Sequence, residues 1–248
     1  MKKLILLAIL PFLNLVFSCG GTKNLTSTTK APMNFDYNPP TEGVTKSNEI
    51  KFALVNPRFL GSSEEIEQFR KDPYKTFIKN MGQDFQEMLS ARGYQTIGPF
   101  SSYDEMVYQE KKSSDLVLIP EVSLNFTSVK AKATYNYLLK QDVYQIDGDV
   151  TMEGKITMHF CEPFTKTKVW SKSVPIEPVT FYLKSKEKYT RPIVNLEDQG
   201  IWNTLVEQLS PTYQKCLKTC WNHLEPTELL IKKKEAAEIK AQSNFQKN

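Results

Sequence analysis

Glycine is scarce in this chain, with 10 among 248 residues. No G-x-x-x-x-G-K or G-x-G-x-x-G run occurs, which excludes the glycine-rich loops that cradle nucleotide phosphates between a strand and a helix. Histidine is scarcer: only His159 and His223 are present. Neither stands beside a nucleophile motif, so the sequence reads as that of a non-enzyme without a cofactor. Cysteine is limited to Cys19, Cys161, Cys216 and Cys220, too few for a disulfide scaffold. Cys216 and Cys220 lie one helical turn apart, a spacing that disfavours a bridge between them. A single bridge from Cys161 to one or the other stays open. A surplus of one charge is also missing: the formal charge is +4 with Lys2 and Lys3 included, a balance that makes no case for a nucleic-acid partner. Past the first nineteen residues, no apolar run is long enough to cross a bilayer.

What is present begins at the N-terminus. Lys2 and Lys3 precede an apolar run from Leu4 to Phe17, broken only by Pro11 and Asn14 and ending in Val16-Phe17-Ser18-Cys19. A positive start, a short apolar stretch and a small residue read as a signal peptide over residues 1–18. The ending resembles the lipobox of bacterial lipoproteins, although Phe17 is an unusual occupant two places before the cysteine. The resemblance implies that Cys19 is lipidated, for example with palmitate, and heads the mature chain. An ordinary cleaved signal with an incidental cysteine is the plainer alternative. Gly20 and Gly21 stand where an aspartate would suggest inner-membrane retention, so the same analogy points to the outer membrane. Residues 19–48 are rich in Thr, Ser, Asn, Lys and Pro and read as a lipidated flexible tether.

A folded domain is expected over residues 49–225. Phe52 to Val55 is a short apolar strand. Asp72 and Pro73 open a helix whose apolar residues, from Tyr74 to Leu89, recur at three- and four-residue steps, and Gly93 stops it. Tyr94 to Ile97 is a second strand, and a short helix is expected around Tyr103 to Lys111. Leu116 to Ile119 is apolar on both faces, and Pro120 marks an edge or bulge. Val150 to Phe160 alternates, with Val150, Met152, Ile156, Met158 and Phe160 on one face and His159 on the other. Lys168 to Glu177 returns the chain, and Lys184 to Pro192 reads as a loop. Ile201 to Leu224 is helical, with a kink or break at Ser210-Pro211. Residues 226–248 form a charged C-terminal helix or tail. The expected architecture is α/β: a single domain with a mixed β-sheet of about five strands, long helices packed on one face and a projecting β-hairpin.

Two clusters invite a chemical reading. Cys216, Cys220 and His223 share a helical side, and His159 and Cys161 share a strand face, but the periodicities place the two groups on opposite sides of the sheet. They therefore form no metal site. The second cluster is the lysine–tyrosine run Lys130, Lys132, Tyr135 and Tyr137. Aromatic faces can stack on sugar rings while ammonium groups meet carboxylates, which suits a sialylated glycan. The same residues also suit an exposed hairpin whose lysines keep it soluble.

The order of features carries a resemblance. Tyr37-Asn38-Pro39 precedes Ile50-Lys51-Phe52-Ala53-Leu54-Val55-Asn56-Pro57-Arg58-Phe59, a helix ends in Met88-Leu89-Ser90-Ala91-Arg92-Gly93-Tyr94, and Lys111-Lys112-Ser113-Ser114-Asp115-Leu116-Val117-Leu118 follows. From about Tyr37 onward this resembles the neuraminyllactose-binding hemagglutinin family of outer-membrane lipoproteins, or flagellar sheath adhesins. The resemblance implies a compact α/β domain, a bacterial cell-envelope or flagellar-sheath location and binding of sialylated host glycans. Lys130 and Lys132 match the family's basic ligand segment in position and charge, without its denser basic cluster. The element order is also similar to that of lipoproteins assisting curli secretion or ABC-type transport. That implies an alternative: a periplasm-facing accessory or assembly lipoprotein whose partners are envelope proteins, with no glycan ligand.

Overall fold

Among the described residues, apolar alternation in the strands and apolar stripes in the helices assemble into an open mixed sheet of seven strands with five α-helices. The computed structural model describes residues 29–127, 130–186, 188 and 195–245. The signal peptide, Cys19 and most of the loop expected over Lys184–Pro192 lie outside the described residues.

The strands are β1 (Lys51–Val55), β2 (Arg58–Leu60), β3 (Gln95–Phe100), β4 (Leu116–Thr127), β5 (Ala131–Asn136), β6 (Gln141–Cys161) and β7 (Lys168–Lys184). Their main path is β3-β1-β4-β6-β5, with β2 added to β4 and β7 to β6. β1 is parallel to both β3 and β4, and β2 is parallel to β4, whereas β4, β5 and β7 all run antiparallel to β6. Pro120 explains how β4 stays central while lacking one N–H donor. β1 opposes it only as far as Leu118 and β2 begins at Glu121, so the proline falls in the gap between them.

The helices are α1 (Ser63–Phe69), α2 (Tyr74–Ala91), α3 (Tyr108–Ser113), α4 (Gln199–Asn222) and α5 (Pro226–Phe245). Asp72 accepts a hydrogen bond from the Thr76 N–H at 3.1 Å near the start of α2. At the other end Gly93 takes φ +84°. The Tyr94 N–H returns to the Leu89 carbonyl and the Gly93 N–H to Ser90, the paired bonds of a glycine-terminated helix. The single short helix expected near Tyr103 is instead a 3-10 turn, Tyr103–Glu105, followed by α3. α4 passes through Pro211 as one helix, where a kink or break was expected. Its buried stripe, including Leu209, Tyr213, Cys216 and Leu217, packs into the main core on both sides of the proline, and that burial outweighs the lost backbone bond.

α2, α4 and α5 share one core with Phe52, Leu54, Leu118 and the even-numbered residues Val150 to Phe160 of β6, Gly154 excepted. A smaller cluster on the opposite face joins Ala53, Val55, Tyr103, Met106, Val117, Ile119 and Cys161. Cys161 therefore sits across the sheet from Cys216 and Cys220, and all three are free and buried. The possible bridge to Cys161 is not formed. No described helix is long and apolar enough to cross a membrane.

The tether ends earlier than its composition suggests. Phe35 and Tyr37 are buried in the main core, with the Phe35 ring 5.3 Å from that of Phe77 and 5.6 Å from that of Tyr213. The Tyr37 N–H donates to Asp84 at 3.0 Å, and Asn80 holds the Phe35 carbonyl at 2.7 Å. Two aromatic side chains supply enough apolar area to order a segment otherwise built for solvent. The C-terminal helix is likewise docked, burying Leu229 and Ala236 and holding the Trp170 indole N–H with Glu228 at 2.6 Å.

Candidate functional site

The lysine–tyrosine run forms the outer part of an exposed ribbon in which β5 pairs with the first residues of β6, from Ala131↔Ile146 to Asn136↔Gln141. The Asn136 side chain accepts from the Leu138 and Leu139 N–H groups and shapes the turn Tyr137–Lys140. Tyr135 and Tyr137 come together, their rings 5.1 Å apart and edge to face. The lysines do not join them. Lys130 lies at the ribbon's base beside Gly148, roughly 20 Å along the strand from the turn. Strand alternation places Lys132 and Tyr135 on opposite faces. The four residues thus do not converge into one concave site.

A cleft that the sequence did not reveal lies at the far end of β6. It has a volume of about 280 Å³ and opens at the carboxyl ends of the parallel strands β1 and β3, beside Ile119 and Glu121 of β4, and strand carboxyl ends are where open α/β sheets present ligands. Val55, Ile119 and Cys161 line its apolar side, and Ser101, Ser102, Tyr103 and Asp104 close it from the loop after β3. The Tyr103 hydroxyl donates to the Pro163 carbonyl at 2.7 Å, fastening that loop to the β6–β7 turn. Burial, with Glu162 and Cys161 nearby, pushes the phenol up to about 12. Lys111 and Lys166 lie over its ring at 4.2 and 4.8 Å. Arg58, Lys166 and Lys168 face the cleft against the carboxylates of Asp104 and Glu121, so cations outnumber anions.

Three adjacent strands build a polar relay along one wall. Glu121 of β4 receives the Arg58 guanidinium at 2.6 Å and lies 3.1 Å from His159 Nε2, while His159 Nδ1 lies 3.0 Å from the Ser171 hydroxyl. Burial alone would raise the Glu121 carboxyl, but the Arg58 hydrogen bond and charge and the neighbouring His159 more than offset it and the net shift is downward. His159 is held below its ordinary value, first by burial and then by Lys168 and Arg58, against the opposing pull of Glu121. A neutral ring donates from Nε2 to Glu121 and accepts from Ser171 at Nδ1. The sequence placed His159 on the polar face of its strand but carried no sign of its neighbours, because Glu121 and Ser171 meet it only through register. Lys168→Met is expected to raise the His159 pKa and Glu121→Gln to lower it further. An NMR titration reads this directly, since the chain has one other histidine; no movement in either variant would refute the electrostatic account. Among the described residues, no three His, Cys, Asp or Glu side chains group as metal ligands.

The architecture defines a class: an open mixed sheet backed by long helices on one face, with a cleft at its parallel-strand end. Within that class, the chain is similar in fold to the crystal structure of a neuraminyllactose-binding hemagglutinin homolog from Helicobacter pylori. The match has TM-score 0.57 and 15% identity over 84% of this chain and 100% of the other. A lipoprotein from Neisseria meningitidis matches at TM-score 0.29 and 14% identity, over 65% of this chain and 99% of its own. A minor lipoprotein from Acinetobacter baumannii matches at TM-score 0.20 and 12% identity, over 66% and 92%. No protein-family model matches the chain, and no curated protein matches it. The relationship is one of fold.

Proposed function

We propose that this chain is a lipoprotein, anchored through Cys19 to the outer membrane, that acts by binding rather than by catalysis, in adhesion to sialylated glycans. The lipobox-like ending supports the anchor. The observation that carries the binding role is the cleft, whose surplus of cationic groups suits a carboxylate-bearing sugar. The described N-terminus is compatible with an anchor upstream, since Lys30 is pinned at the surface against Glu197 and the Trp202 ring. The fold likeness to a hemagglutinin homolog agrees with this reading. Ser171 stands on a regular strand rather than on a strained nucleophile turn, which favours binding over acyl transfer.

Calorimetric titration with sialyllactose and with lactose tests the proposal. Binding of sialyllactose alone is expected, and loss of one charged contact in Lys168→Met should weaken it about tenfold. Weakening by Lys130→Met or Lys132→Met instead would move the ligand to the ribbon. No binding in any form would overturn the glycan reading and favour a periplasm-facing accessory lipoprotein. Protease treatment of intact and lysed cells would then report which side the domain faces.

A further inference from the structure

Of the large apolar side chains exposed among the described residues, four gather at the end of the β5–β6 ribbon: Tyr135, Tyr137, Leu138 and Leu139. Leu138 is 94% and Tyr137 84% exposed, so folding of the domain leaves this surface unused. It is a convex tip rather than a groove. Lys140 closes the turn beside it and Asp142 faces Tyr135 across the ribbon, while Lys132 stands near the ribbon's base opposite Gln145. Leucines at an apex, tyrosines just behind and the Lys140 ammonium at the rim match the depth profile of a membrane interface, with apolar tips among the acyl chains and an ammonium group at the phosphates.

The fold places the N-terminal approach at the same end of the molecule. The Thr29 carbonyl accepts from Gln199, whose side-chain oxygen accepts from Lys186. One residue earlier, Ser185 exchanges hydrogen bonds with Ile146, where the ribbon leaves the main sheet. Nine residues lie between Cys19 and Thr29, ten steps along the chain that span up to about 35 Å when extended. From Ile146 the ribbon carries its tip roughly 17 Å outward. A chain anchored at Cys19 therefore has the length to let the tip touch the surface that holds the anchor. The cleft lies at the opposite end of β6, at His159 and Cys161.

We propose that the β5–β6 tip docks on the lipid bilayer, with Leu138 and Leu139 entering the headgroup–acyl boundary and Lys140 meeting lipid phosphates. Tip and lipid then form two contacts that orient the domain with its cleft away from the membrane. This rests on lipidation at Cys19 and is tested so that the two can fail separately. The full lipidated chain, carrying Leu138→Cys labelled with an environment-sensitive fluorophore, is reconstituted into vesicles of phosphatidylethanolamine and phosphatidylglycerol. The three domain cysteines are buried, and labelled wild type measures their background. Lys112→Cys, exposed on α3 at the cleft end, is the control position.

The expected result is a blue shift and loss of iodide quenching at position 138, with the label at 112 remaining in water. Flotation of the protein with both labels in water would overturn tip docking and leave the anchor standing. Failure of the unmodified chain to float would overturn the anchor, and the tip proposal with it. Shielding of position 138 without vesicles, accompanied by a doubled mass, would assign the tip to a second copy of the chain and overturn bilayer docking.

Discussion

Gly154→Ala is expected to abolish or severely reduce folding, while Gly148→Ala, six residues earlier on the same strand, should leave stability nearly unchanged. At Gly154 the sheet leaves no room for a methyl group: an added Cβ would stand 2.0 Å from the Ser123 carbonyl oxygen and 3.1 Å from the Leu124 Cα. Both obstacles are main chain in β4, so no rotamer change relieves them. β4 and β6 would have to separate where Leu124 faces Gly154, beside the register shift that β6 makes against β7. The cost should be at least about 4 kcal/mol, in the range reserved for steric disruption of a core. At Gly148 an added Cβ meets only the Lys130 side chain, at 3.6 Å and beyond, which is ordinary contact. Denaturant titration of the two variants checks the contrast. A well-folded Gly154→Ala protein with wild-type stability would refute the tight β4–β6 approach.

The second large effect is expected at Asp84, a carboxyl 3% exposed in the main core. One of its oxygens accepts from the Tyr213 hydroxyl at 2.5 Å and from the Tyr37 N–H at 3.0 Å, tying α2 to α4 and to the segment before β1. Burial raises its pKa from 3.8 to about 6, partly countered by those two donors. The folded state therefore holds a proton that the unfolded state releases across that interval, and stability should fall as pH rises from about 4 to about 6. The shift corresponds to an effect on the order of 3 kcal/mol. Asp84→Asn keeps an acceptor for both donors and removes the charge, so it should flatten this segment of the stability–pH curve. Asp84→Ala leaves the Tyr213 hydroxyl and the Tyr37 amide buried without their acceptor, at a cost of about 3 kcal/mol against the wild type at pH 4 and below, a gap that narrows as the wild type loses stability toward neutral pH. Thermal unfolding at several pH values separates the variants. An unchanged pH slope in Asp84→Asn would assign the titration to another group.

Much of the scaffold was legible because it is encoded locally. The stripe from Tyr74 to Leu89 and the glycine at position 93 define α2 within a few residues, and the alternation from Val150 to Phe160 sets the buried face of β6. The doubly apolar run at Leu116 reflects the two separate cores that cover it. Other expectations failed where distant partners decide. Residues 33–48 have the composition of a tether, yet Phe35 and Tyr37 are captured by α2 and α4. Pro211 marks a helix break in isolation, but α4 is buried on both sides of it.

By itself the sequence determined the type of most elements, the amphipathic faces and the signal-like N-terminus, because capping, periodicity and apolar run length act over a few neighbouring residues. β2 and α1 stood outside that reading, and β6 and β7 extend beyond the stretches it marked, to Gln141 and Lys184. Only the tertiary structure decided what those elements bring together. Glu121, His159 and Ser171 form a relay because three strands align in register. Phe35 and Tyr37 join the core because α2 and α4 capture them, and Pro211 stays within one helix because α4 is buried on both sides of it. Each of these outcomes depends on contacts between residues far apart in the chain, for which short-range pattern carries no information.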